Sequence, residues 1–135
     1  SVRARPHYEA LVLCWLPEQL SPIHDHGESC CAVGVLSGEA IEIGFLLNPD
    51  GTLRLRSSER LAAGSITASV GPDMHQVANW TTPARPLITL HIYSPPLLQM
   101  HVYPQAQVKR VSVSQVAGLT GRISAADRLL TRDCA

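Results

Sequence analysis

Ten prolines and nine glycines break this 135-residue chain into short apolar runs, and that punctuation restricts its fold more than any other feature. Helices in globular proteins average ~10–14 residues. The intervals between these breakers are mostly shorter, and they are rich in β-branched residues. Such spacing predicts an all-β sandwich or barrel with helix as the minor component. Strands are expected at 8–15, 29–36, 39–47, 53–59, 65–70, 75–79, 86–93, 101–103 and 108–113. Asn48-Pro49-Asp50-Gly51 and Ser37-Gly38 read as hairpin turns, because Asn, Asp and Gly accept the tight backbone angles such turns require. Ser124-Ala125-Ala126-Asp127 has the form of a capping box before a short C-terminal helix ending near Arg132.

The length fits a single domain, 1–135, large enough to bury a core without staples. Eleven basic residues balance eleven acidic ones and lie scattered along the chain. That pattern argues against a nucleic-acid footprint or an anionic-membrane surface, so a small molecule is the expected partner. No apolar run approaches the ~20 residues that span a bilayer, and no basic-then-apolar leader opens the chain. The expectation is a cytoplasmic protein, monomeric or a weak homo-oligomer. The first residue is Ser1 rather than Met, which suggests that an N-terminal stretch has been trimmed or left out. Cys14, Cys30, Cys31 and Cys134 show neither paired zinc-site spacing nor a disulfide framework, so reduced thiols are expected.

Two segments carry histidines in a pattern that reads as a metal site. His24 and His26 lie in Ser21-Pro22-Ile23-His24-Asp25-His26-Gly27, and His75 lies in Met74-His75-Gln76-Val77-Ala78-Asn79. Side chains alternate along a strand, so His24 and His26 would share a face and hold one ion between them, with His75 as third ligand from a distant strand. Thr89, His91 and Tyr93 share a face by the same alternation. If buried, three polar groups on an apolar strand need each other or a ligand as partners. The plainer alternatives are an exposed histidine pair and an exposed polar face.

The His-x-His and His-x-x-x-Asn segments resemble the two motifs of the cupin fold, a jelly-roll β-barrel. The usual cupin glutamate ligand five residues beyond the second histidine is replaced here by Cys31, and Glu28 reads as a solvated turn residue. With Leu11-Val12-Leu13-Cys14-Trp15, the Leu36-Ser37-Gly38 turn and Thr89-Leu90-His91-Ile92-Tyr93-Ser94-Pro95-Pro96, the chain resembles the bacterial cysteine dioxygenases, thiol dioxygenases of the cupin superfamily. That resemblance implies one Fe(II) on His24, His26 and His75 with O2 as co-substrate. It implies His91 orienting Tyr93, whose hydroxyl faces substrate and oxygen, and Thr89 standing for the family's usual serine. Cys31 corresponds to a cysteine that in animal members is joined to the tyrosine by a thioether, where many bacterial members have glycine. Both halves of a Cys31–Tyr93 crosslink are present, and a role as a small buried hydrophobe stands equally open.

In the family an arginine upstream of the first strand clamps the substrate carboxylate. Without gaps that position falls before Ser1; a shortened hairpin around Arg5-Pro6-His7 would bring Arg3 into the role. Met100 either lines the pocket or packs. Cys14 is read as a core residue, Trp15 and Trp80 as core and rim residues, and His7 and His101 as surface or packing residues.

Three neutral imidazoles occupy one face of an iron and leave its positive charge uncompensated, which favours a soft thiolate. The expected activity is oxidation of L-cysteine to cysteine sulfinate. The rival within the enzyme class is a dioxygenase or oxidase of another small thiol, and the rival outside it is a non-catalytic metal-binding sensor. A fragment lacking its substrate arm would bind iron but turn over poorly.

Overall fold

The apolar runs fold as nine strands in a computed structural model whose described residues are 7–108. They are β1 (Glu9–Trp15), β2 (Ile23–His24), β3 (Cys30–Ser37), β4 (Glu39–Leu47), β5 (Leu53–Ala62), β6 (Ile66–Val70), β7 (Met74–Ala78), β8 (Leu87–Ser94) and β9 (Val102–Tyr103). Two sheets form, one in the order β1-β8-β3-β6 and the other β5-β4-β7-β2-β9. Every strand pairing is antiparallel. Among the described residues, the helical content is one 3₁₀ turn at Gln105–Gln107. No helix among them is long and apolar enough to cross a membrane.

The expected strands that fall among the described residues appear within a few residues of their predicted bounds, with two differences. The short β2 was not anticipated as a separate element. It ends at His24, so His26 sits in the turn beyond it rather than on the strand. Ser37-Gly38 is not a hairpin within one sheet. It carries the chain from β3 in one sheet to β4 in the other. Gly38 has a φ of +84°, and a Cβ there would stand 2.6 Å from the Pro86 carbonyl oxygen, so only glycine lets the chain turn that corner against its neighbour. Of the run 108–113 only Val108 is described, and it makes an isolated parallel bridge with Leu53. The predicted C-terminal helix, Cys134 and Arg3 lie outside the described residues. The Asn48 to Gly51 turn forms as expected: Gly51 N–H donates to the Asn48 carbonyl, Asn48 N–H donates to the Thr52 carbonyl, and Gly51 takes a positive φ.

Apolar packing divides between two faces of the five-stranded sheet. Ile41, Ile43 and Phe45 of β4 pack with Ile23, Leu53, Leu55, Met74, Ala78, Trp80 and Val108. The alternate positions turn the other way: Ala40 and Val77 pack with Val35, Leu61, Leu87 and Trp15, closing one end of the space between the sheets. Cys31, Val33 and Tyr93 pack with Leu97. Into that inter-sheet space project the polar residues of β2, β7 and β8.

Candidate metal centre

β2 and β7 pair with His24 opposite His75, so both rings leave the same face of the five-stranded sheet. His26 joins them from the turn after β2. That turn is pinned by the carboxylate of Asp25, which accepts hydrogen bonds from the backbone N–H groups of Gly27 and His101, from the Tyr103 hydroxyl and from the His101 ring. Asp25 N–H in turn donates to the His101 carbonyl. Burial alone would raise the Asp25 carboxyl, but these hydrogen bonds outweigh it and hold the group below its usual range. Gly27 has a φ of +57°, and a Cβ there would lie 3.0 Å from the Gln99 carbonyl oxygen. The sequence reading gave His101 and Tyr103 no such task.

One ring nitrogen from each of His24, His26 and His75 lies within 4.8 Å of the others, and all three side chains are buried. Their outer nitrogens are spoken for. His24 Nδ1 is 2.9 Å from the Pro22 carbonyl oxygen and His75 Nδ1 is 2.9 Å from Glu42 Oε1. Both partners only accept, so both Nδ1 atoms carry the proton and both Nε2 lone pairs are left for the interior. His26 Nδ1 faces the Ser69 hydroxyl at 3.3 Å, a group that serves either tautomer. His26 Nε2 stands 3.2 Å from His75 Nε2. Two nitrogens each ~2.1 Å from one ion, at roughly tetrahedral to octahedral angles, stand about 3.0–3.4 Å apart. The donor set therefore fits a divalent first-row metal. Burial first, and then the charge of its two histidine neighbours, pushes His26 down to about 4, and burial lowers His24 as well. Both are neutral near pH 7, the state a ligand requires.

Opposite this cluster β8 presents Thr89, His91 and Tyr93, all buried. The Trp15 indole N–H donates to Thr89 Oγ1 at 2.9 Å, and Thr89 Oγ1 lies 2.9 Å from His91 Nε2. An indole can only donate, so Thr89 Oγ1 accepts from Trp15, and its hydroxyl, with a hydrogen and a second lone pair to spare, serves either tautomer of His91; the other nitrogen of that ring is Nδ1. That nitrogen faces Tyr93 Oη at 3.4 Å. Burial first, then the charges of His75 and His24, lowers His91 to about 4 and keeps it neutral. The Tyr93 ring centroid is 5.7 Å from that of His26, and burial holds its phenol protonated well above the usual range. Trp15, read from sequence as a core or rim residue, is thus hydrogen-bonded into this row.

Cys31 sits directly opposite Tyr93 across the β3–β8 pair, hydrogen-bonded to its hydroxyl. Burial pushes the thiol up to about 11. Among the described residues Cys14, Cys30 and Cys31 are free thiols, and Cys14, expected in the core, is exposed on the edge strand β1. Asn79 plays a structural part: its amide donates to the Trp15 and Arg85 carbonyls, tying the end of β7 to the end of β1. Met100 lies exposed in the irregular run before β9. Glu28 lines an open cleft with Asp25, Ser29, Gln99 and His101.

Residues 3–106 match the family Cysteine dioxygenase type I. Cysteine dioxygenase type 1 from Bos taurus is 33% identical over 104 residues, which covers 73% of this chain and 50% of that protein. The chain spans about half the length of the curated relatives it matches. Among solved structures, a double-stranded β-helix domain protein from Klebsiella pneumoniae superposes with a TM-score of 0.55 at 20% identity, covering 75% of this chain and 78% of that one. A cupin 2 conserved barrel domain protein from Salinispora arenicola gives 0.52 at 17% identity, covering 70% and 68%. The fold is that of the cupins.

Proposed function

The chain belongs to the cysteine dioxygenase type I family, and from that membership and its imidazole cluster we propose that it is an iron-dependent thiol dioxygenase. Fe(II) is held by His24, His26 and His75, and both atoms of O2 are added to the sulfur of a small thiol, L-cysteine giving cysteine sulfinate. The observation that carries this reading is the set of three ring nitrogens within 4.8 Å of one another, beside the buried Thr89, His91 and Tyr93. A sensor that only binds metal has no use for that polar face.

His24, His26 and His75 would hold a redox-active divalent ion, which would supply a Lewis-acidic, redox-capable centre suited to a soft thiolate and dioxygen. The chain's own residues supply the rest. His24, His26 and His75 enter as neutral donors, so the site stays cationic and draws the thiolate in. Trp15 and Thr89 hold the His91 ring in place, and His91 orients the Tyr93 hydroxyl. That hydroxyl is a proton donor beside the reacting atoms. Met100 is assigned to the approach to the site.

Carboxylate recognition falls to Arg3, whose fork would bind the substrate by a charge-assisted pair of hydrogen bonds. Loss of such a contact costs roughly 1.5–3 kcal/mol, or ~10 to 100-fold in preference. Oxygen-uptake assays on the iron-loaded protein with a panel of thiols are expected to rank cysteine above cysteamine by that factor, with Arg3→Ala raising the KM for cysteine and leaving that for cysteamine nearly unchanged. Consumption of oxygen with no thiol in the panel would overturn the enzymatic reading. Equal effects on both thiols would return Arg3 to the surface and favour a mercapto-carboxylate or biosynthetic thiol bound by other means.

Cys31 and Tyr93 are proposed to join as a thioether. The Sγ–carbon bond forms as the thiol and ring hydrogens leave as two protons, and the two electrons reduce O2 to hydrogen peroxide. Intact-mass measurement before and after aerobic incubation with iron is expected to show a species lighter by two hydrogens, absent from Cys31→Ser. An unchanged mass would leave Cys31 as a packing residue.

A further inference from the structure

A carboxylate stands behind the cluster where neither the histidine motifs nor the sequence pattern marks one. On β4, Ala40, Glu42 and Gly44 alternate with Ile41, Ile43 and Phe45, and the isoleucine face reads as the buried side. In the fold both faces are covered. Glu42 therefore points between the sheets, with its side chain only 16% exposed. Its oxygen receives the His75 Nδ1–H at 2.9 Å, the Thr67 hydroxyl also hydrogen-bonds to it, and Arg56 contributes a nearby positive charge.

The position matters because of what the inner site lacks. Three imidazoles bring no negative charge to a divalent ion, and the place where the His-x-His pattern calls for a carboxylate is filled by Cys31, a buried thiol held protonated. We infer that Glu42 is the charge-compensating partner of this centre: acting through the His75 ring, it supplies from outside the coordination positions the negative charge that the absent carboxylate ligand would have supplied from within. The arrangement rests on the metal-binding reading above and extends it. A carboxylate behind an imidazole makes the ring a stronger donor and fixes its orientation, and removal of such a partner typically weakens metal binding ~10–100-fold. It also favours the more highly charged oxidation state. Because the charge sits one ring away, the carboxylate would not compete with the substrate thiol for the ion. Glu42 is a positioning residue; it touches no reacting atom.

Glu42→Gln keeps an oxygen able to accept the His75 proton and removes only the charge. Metal-free wild-type and Glu42→Gln proteins, titrated anaerobically with Co(II) and with Fe(II), are expected to differ ~10–100-fold in affinity while giving Co(II) absorption spectra of the same shape. The ferric/ferrous potential of the variant should move positive, by ~59 mV for each tenfold loss of preference for the ferric ion. Affinity and potential both unchanged would overturn the inference and leave Glu42 a neutral hydrogen-bond acceptor. Wild-type protein that binds neither ion would instead overturn the metal reading itself. Should Glu42→Gln fail to fold, Thr67→Val removes one of the groups holding the carboxylate in place. It is expected to weaken Co(II) binding several-fold, and wild-type affinity there would also count against the inference.

Discussion

Replacing His75 with alanine is expected to abolish metal retention. Structural zinc sites with four ligands bind with ~10–16 kcal/mol, or about 3 kcal/mol per ligand, so losing one of three imidazoles costs on the order of 100 to 1,000-fold in affinity. Metal content after anaerobic iron loading and desalting should fall from near one per chain to a small fraction of that, while strands β4 and β7 still pair along Ile41 to Phe45. A His75→Ala protein that keeps its iron and its spectrum would show that the ion sits elsewhere. Alanine at His24 or His26 should give the same loss.

The second large effect is on turnover rather than binding. Tyr93→Phe keeps the ring that packs against Cys31, Val33 and Leu97 and removes only the hydroxyl 3.4 Å from His91 Nδ1. Positioned proton donors contribute ~100 to 10,000-fold to rate, so a fall in kcat of at least ~100-fold is expected, with iron content unchanged and oxygen uptake poorly coupled to product. The substitution also removes the crosslink, so Cys31→Ser serves as the reference, since it keeps the hydroxyl and loses only the bond. Wild-type kcat and coupling in Tyr93→Phe would reduce Tyr93 to a packing residue.

What was legible in the sequence and what was not follow from the range of each signal. Thr89, His91 and Tyr93 are two residues apart on one strand, so alternation alone put them on a common face, and the fold buries that face. The rings of His24, His26 and His75 could be grouped from their motifs. The device that sets His26 could not, because it is a turn held by Asp25 against His101 and Tyr103, about 76 residues further along the chain. Trp15 and Thr89 are equally remote in sequence, 74 residues apart. Glu42 was hidden for another reason: a strand buried on both faces defeats the rule that the polar side looks outward. Ser37-Gly38 carries the chemistry of a tight turn, but the chain there changes sheets, and turn residues report local backbone angles rather than where the next strand pairs.

The most direct test of a three-histidine iron centre that oxygenates thiols is to supply isotopically labelled dioxygen to the iron-loaded protein with cysteine and weigh the product. Cysteine sulfinate carrying label in both added oxygen atoms, formed by wild type and lost in His75→Ala, is the predicted result. Disulfide or unlabelled product, or a rate indifferent to His75, would contradict it.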